Sequence, residues 1–117
     1  MQLTRIYAAE TSTTRADVDA LSGVTVLEFG TPWCGYCQIA QPLLAQAFDA
    51  LPTMRHLKIE DGKGRALGRS FGVKLWPTVI LLRDGREIAR LTRPSNVEVI
   101  VEMLSQLRAD ATLSQPS

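Results

Sequence analysis

The chain has 117 residues, 45% of them apolar and 21% charged, which is the size of one compact domain with a single core. Lysine and arginine number 13 against 12 aspartates and glutamates, so no surplus positive charge exists to neutralise a nucleic acid backbone or an anionic membrane surface. Both partner classes are set aside.

The first residues, Met1 to Tyr7, turn polar at once and lack the apolar core of a secretory signal. No stretch approaches the ~18–20 uninterrupted apolar residues of a membrane span. A cytoplasmic monomer is expected. An edge strand is read at Leu3–Tyr7 and a short helix at Arg15–Leu21. Val24 to Phe29 is a β-branched, mostly apolar run behind Ser22-Gly23, the pattern of a strand buried on both faces, with Glu28 as its one anomaly.

From Cys34 to about Leu51, apolar residues recur at Ile39, Leu43, Leu44, Ala47 and Phe48 with the spacing of one helical face. Pro42 lacks a backbone donor and is expected to kink that helix. A strand over Met54–Ile59 is followed by a glycine-bearing loop and a short helix at Arg65–Ser70. Thr78–Leu82 and Glu87–Leu91 flank Asp84-Gly85, a pair suited to the positive φ angles of a type I′ hairpin.

Ser95 with Glu98 three residues later reads as a capping box, and Val97, Ile100, Val101, Leu104 and Leu107 line one face of a last helix ending near Arg108. Residues 109–117 carry no apolar periodicity and are read as a flexible tail after a single domain over 1–108. Parallel strands joined by helices, then a hairpin and a final helix, imply an α/β fold. Its central mixed sheet is flanked by helices on both faces.

The chemistry centres on Trp33-Cys34-Gly35-Tyr36-Cys37, which holds both cysteines of the chain. At a strand-to-helix junction Cys34 meets unpaired backbone N–H groups and the positive end of the helix dipole, which favour a thiolate nucleophile. Cys37, one turn further on, is placed to attack a mixed disulfide formed on Cys34. A zinc or iron–sulfur site generally needs four ligands, and two cysteines with the lone His56 do not supply them within one chain. A cluster shared between two chains and an inert cysteine pair stay open.

The sequence resembles the thioredoxin family from about residue 15 to 108. The resemblance rests on Val26-Leu27-Glu28-Phe29, Trp33 to Cys37, Pro42, Phe71-Gly72-Val73 with Trp76-Pro77-Thr78, and the Asp84-Gly85 hairpin, in the family's order and spacing. It implies a thioredoxin fold and a thiol-disulfide oxidoreductase, most simply a reductase of protein disulfides. The redox centre is then the Cys34–Cys37 pair with no further cofactor. Clients are disulfide-containing proteins, and electrons come from a partner such as a thioredoxin reductase, since no G-x-G-x-x-G nucleotide motif is present.

The resemblance also implies roles for single residues. Pro77 matches a proline that follows a cis bond and faces the cysteines, so Trp76, Pro77 and Cys34 would form a client groove in which the backbone before the proline pairs with an extended segment. The alternative is a trans proline that starts a strand. Glu28 stands where the family has a buried aspartate that exchanges protons with the second cysteine. A carboxylate in an apolar strand is costly in its charged form, which suits a general base, unless Glu28 instead reaches the surface or an ion partner.

His56 is matched to a lysine that pairs with that acid, which would replace a permanent charge by one that changes in the physiological range. A histidine of no consequence is the alternative. Trp33 would pack beside the thiols, and Trp76 would either anchor a client or narrow the groove. Tyr36 replaces the usual proline, and Gly-Tyr is similar to periplasmic isomerases. Arg93 stands where a glycine floors the groove. An oxidase or isomerase, or a client-binding adaptor without turnover, therefore remains an alternative to the reductase.

Overall fold

The computed structural model describes residues 13–49 and 54–114, with side chains described through Arg108. The expected edge strand at Leu3–Tyr7 and the chain end at 115–117 lie outside the described residues.

The chain runs α1 (Arg15–Asp19), β1 (Val24–Gly30), α2 (Gly35–Phe48), β2 (Arg55–Glu60), α3 (Ala66–Ser70), β3 (Thr78–Arg83), β4 (Arg86–Thr92) and α4 (Val97–Ser114). The strands form one mixed sheet in the order β2-β1-β3-β4, with β1 parallel to β2 and antiparallel to β3. The β1–β2 connection carries α2, the crossover that a parallel pair requires. The β3–β4 connection is the two-residue hairpin, with Asp84 at φ 50° and Gly85 at φ 78° as a type I′ turn demands. Gly85 is also held by close approach, because a Cβ there would run into the Asp19 carbonyl.

Side chains alternate between the sheet faces, and both faces are covered. Val26, Val79 and Leu81 pack with Leu44 and Phe48 of α2 and Ile100 and Leu104 of α4. Leu27, Phe29, Ile80 and Leu82 pack on the other face with Val18, Leu67 and Phe71. This two-sided burial is why β1 reads as a continuous apolar run rather than an alternating one. It also puts Glu28, two residues from Val26, on the face beneath α2.

Two helix boundaries differ from the sequence pattern. Asn96, not Ser95, caps α4, its Oδ1 accepting from the Val99 N–H at 3.0 Å. The Ser95–Glu98 spacing thus sits one residue out of register with the cap that forms. The same helix continues past Arg108 to Ser114. Apolar periodicity stops at Leu107, but Ala109 and Ala111 are strong helix formers and no glycine or proline intervenes, so backbone propensity carries the helix where core packing does not. Helix α2 is continuous across Pro42, which lies on its exposed side.

Candidate active site

Strand β1 ends at Gly30 and α2 begins at Gly35, so the four residues between them present the cysteine motif at one end of the sheet. Cys34 is the N-cap of α2 with extended backbone, φ −80° and ψ 120°, and its Sγ accepts the Cys37 backbone N–H at 3.3 Å. A donor N–H and the positive end of a 14-residue helix are what an anionic sulfur needs. Both cysteines are free thiols. Cys34 is 8% exposed and Cys37 only 1%, so Cys34 alone offers its sulfur to an incoming disulfide, and Cys37 must act from behind it.

The Trp76–Pro77 bond is cis, as the resemblance implies. The two tryptophans meet across the site, Trp33 on Trp76 edge-to-face with centroids 5.6 Å apart. Trp33 is 72% exposed, so it is a surface wall and not part of the core. The Trp76 indole N–H is held by Asp61 Oδ2 at 2.9 Å. Opposite, the Arg93 guanidinium lies 4.0 Å over the ring of exposed Tyr36, and its Nε donates to the Trp76 carbonyl at 2.9 Å. Arg93 therefore ties the cysteine loop to the cis-proline loop. All the residues read from the sequence as lining the groove come together here.

Behind the thiols lies a buried polar group. Glu28 is fully buried, and each carboxylate oxygen has a donor: Oε1 meets His56 Nε2 at 3.0 Å, and Oε2 accepts from Gln41 Nε2 at 2.8 Å. The same Gln41 Nε2 donates to the Cys37 carbonyl at 2.8 Å, and Gln41 Oε1 accepts from Lys58 Nζ at 2.8 Å. That fixes which way the amide points, because a flipped amide would aim its oxygen at two acceptors and its N–H groups at an ammonium. The His56 ring packs edge-on against Phe48 at 5.1 Å.

Gln41 and Lys58 were not singled out in the sequence, whereas His56 meets the buried acid directly, as the resemblance implies. Lys58 is the residue directly opposite Glu28, whereas His56 is opposite Val26. Both β2 side chains thus serve this buried group, His56 through Glu28 and Lys58 through Gln41. The signals were nevertheless present. Gln41 is four residues after Cys37 on the same helical face, and Lys58 is two after His56 on the same strand face.

A family model for thioredoxin matches residues 6–106. This chain belongs to the thioredoxin family. It is 31% identical over 85 residues to a thioredoxin of Chlamydia muridarum, spanning 73% of this chain and 83% of that one. It is 25% identical over 88 residues to the thioredoxin Asp f 28 of Aspergillus fumigatus, spanning 75% and 82%. Among solved structures, the reduced form of thioredoxin 2 from Pseudomonas aeruginosa superposes with a TM-score of 0.81 at 53% identity, covering 92% of this chain and 99% of the other. As a thioredoxin-family protein with its cysteine pair intact, the chain is a thiol-disulfide oxidoreductase with the thioredoxin fold. Among the described residues, no helix is long and apolar enough to cross a membrane.

Proposed function

We propose that this protein reduces disulfides in protein clients, with Cys34 as nucleophile, Cys37 as resolving thiol and Glu28 as the proton acceptor that serves Cys37. The observation that carries the reading is the unequal burial of the two thiols, with Cys34 reachable at the helix N-cap and Cys37 enclosed on the turn that Gln41 ties to Glu28. The Cys34 thiolate attacks a client sulfur, forming a Cys34–client mixed disulfide and expelling one client thiolate. Cys37 then gives its proton to the Glu28–His56 pair and attacks Cys34 Sγ. The Cys34–Cys37 disulfide forms and the second client thiolate leaves, so two electrons have passed to the client.

In this reading His56 holds the ionised carboxylate in place by donating from Nε2, and the proton from Cys37 is taken up by the Glu28 carboxylate. Trp33, Tyr36, Trp76, Pro77 and Arg93 bound the client groove. The oxidised pair is returned to dithiol by a partner reductase in the cytoplasm, the protein itself carrying no cofactor beyond its two cysteines.

Trapping tests the reading: Cys37→Ser retains the attack but not the release, and is expected to accumulate mixed disulfides on Cys34. In insulin reduction with dithiothreitol the wild type should accelerate turnover and Cys34→Ser should not. Equal behaviour of the two proteins would leave a client-binding adaptor. The Gly35-Tyr36 dipeptide favours a second reading as oxidase or isomerase, and the reduction potential separates them. A value near the about −270 mV established for a member of this family supports the reductase, and one near about −120 mV supports an oxidant.

A further inference from the structure

Arg93 occupies a place in the groove that a neutral residue would leave open. Its backbone is left-handed at φ 52°, a conformation that glycine adopts freely and a branched or long side chain adopts at a cost. The geometry nevertheless holds a guanidinium there, with Nε on the Trp76 carbonyl and its plane over Tyr36. The backbone before the cis-proline is the edge with which an extended client is expected to pair, so Arg93 covers an acceptor that the client needs. Arg93 is an exposed residue, and among the described residues its terminal Nη groups have no hydrogen-bond or ion-pair partner.

The surroundings are cationic on the far side of Trp76 as well. A hollow of about 310 Å3 there is lined by Lys63, Arg65, Arg69, Lys74, Asp61 and Trp76. Arg65 is paired with Glu60 and the Asp61 carboxylate holds the Trp76 indole, whereas Lys63, Arg69 and Lys74 have no ion-pair partner among the described residues. The whole chain carries a formal charge of only +1, so this is local asymmetry and not a generally basic surface.

We propose that Arg93 is a latch on the client groove that selects client disulfides flanked by aspartate or glutamate. The proposal rests on the reductase reading above and names its substrate class. A carboxylate beside the client cysteine offers the planar fork a bidentate partner, draws it off the Trp76 carbonyl, and so uncovers the backbone acceptor that the client then takes. A client with lysine at that place opens the latch without compensation and meets a second positive charge.

Three synthetic peptides test this, each with one intramolecular disulfide flanked by Glu, Gln or Lys, and each rate is divided by that of uncharged dithiothreitol to remove the peptide's own reactivity. Wild type is expected to prefer the Glu peptide over the Lys peptide by about tenfold in kcat/KM, the preference shrinking as salt is raised. Arg93→Gly, which suits the left-handed backbone, should bring the two peptides within about twofold and speed the Gln peptide, whose acceptor is no longer covered. Arg93→Glu should reverse the order. Wild type that reduces all three alike, or a preference that survives in Arg93→Gly, overturns the proposal alone. Wild type that reduces none of them, where dithiothreitol does, overturns the reductase reading beneath it. Arg93→Gln, which keeps a side chain over the groove but loses the charge and the fork, stands in if Arg93→Gly does not fold, and an acidic preference that survives in it overturns the proposal.

Discussion

Lys58 stands directly opposite Glu28 across the parallel β1–β2 pair, and its ammonium donates to Gln41 Oε1, whose amide in turn donates to the Glu28 carboxylate. One neutral amide thus touches Glu28, Lys58 and the Cys37 backbone together. Two substitutions test whether this bridge serves the resolving step. Gln41→Met removes the amide and with it the hydrogen bonds to Glu28 and to the Cys37 carbonyl, and is expected to slow mixed-disulfide release by about tenfold. Gln41→Glu keeps an acceptor for Lys58 but loses both donor bonds, and should slow release by at least as much. Stopped-flow measurement of release from a preformed Cys34 mixed disulfide reads both. Release at the wild-type rate in both variants would mean that the bridge matters for packing and not for resolution.

Glu28 itself separates stability from chemistry. Burying an ionised carboxylate is expensive even when both oxygens are bonded, and Glu28→Gln keeps the shape while removing the charge. A glutamine can accept from Gln41 and donate to His56, so no buried polar atom is orphaned. The variant is expected to unfold at the same temperature as wild type or higher, while release slows by about 100-fold, within the range of a lost general base. Thermal unfolding and single-turnover release on the same preparation are the two measurements. A variant that releases at the wild-type rate removes Glu28 from the mechanism.

The sequence carried most of the fold because both periodicities were present where needed. The β-branched run at Val24–Phe29 and the Asp84-Gly85 turn each have one economical reading, and the structure adopts it; the helix read from Ile39 to Phe48 forms as well, but its buried face runs through Ala40 and Leu44 and leaves Ile39 exposed. The end of α4 was not legible from apolar spacing, since Ala109 and Ala111 sustain a helix without marking a face. In the site, Cys34 and Cys37 followed from local pattern, and Pro77 from the family resemblance. Gln41 and Lys58 did not, because a polar residue within a helix and a lysine in a strand look solvated until the fold brings them together behind the thiols, Gln41 bonded to Glu28 and Lys58 to Gln41. The latch of Arg93 on Trp76 spans 17 residues of sequence and needed the fold to be seen.

On the outer strand β4, Arg90 holds the Glu87 carboxyl below its ordinary range through a bidentate pair at 2.7 Å, opposed by partial burial and helped by smaller contributions from the charges of Arg90 and Arg15. A carboxylate with a lowered folded value stabilises the fold above its unfolded value and loses that contribution as pH falls through the folded one. The pair is about a third exposed, so its worth is that of a surface bridge, ~0.2–1 kcal/mol. Wild type minus Glu87→Gln stability is therefore expected to be small and constant at neutral pH and to vanish on acidification below about pH 4. Urea unfolding of both proteins from pH 7 to pH 3 checks it, and a difference that grows toward acid would contradict the sign.

The core beneath α3 and the client groove share one side chain. Gly68 is buried in α3, and a Cβ there would fall on the Asp61 carboxylate, whose Oδ2 holds the Trp76 indole N–H. Gly68→Ala should therefore act at a distance: the methyl displaces Asp61, and Trp76 loses the bond that sets its place against Trp33. In an ordinary helix this substitution gains stability of about 1 kcal/mol. Here it is expected to cost about 1–2 kcal/mol through overpacking and the lost hydrogen bond. Client reduction should weaken mainly in KM, because the thiols are untouched while one wall of the groove is loosened. Fluorescence of Trp76 in a Trp33→Phe background reports the displacement, and an unchanged spectrum together with a raised unfolding temperature would show that Asp61 is free to move aside without consequence for the groove.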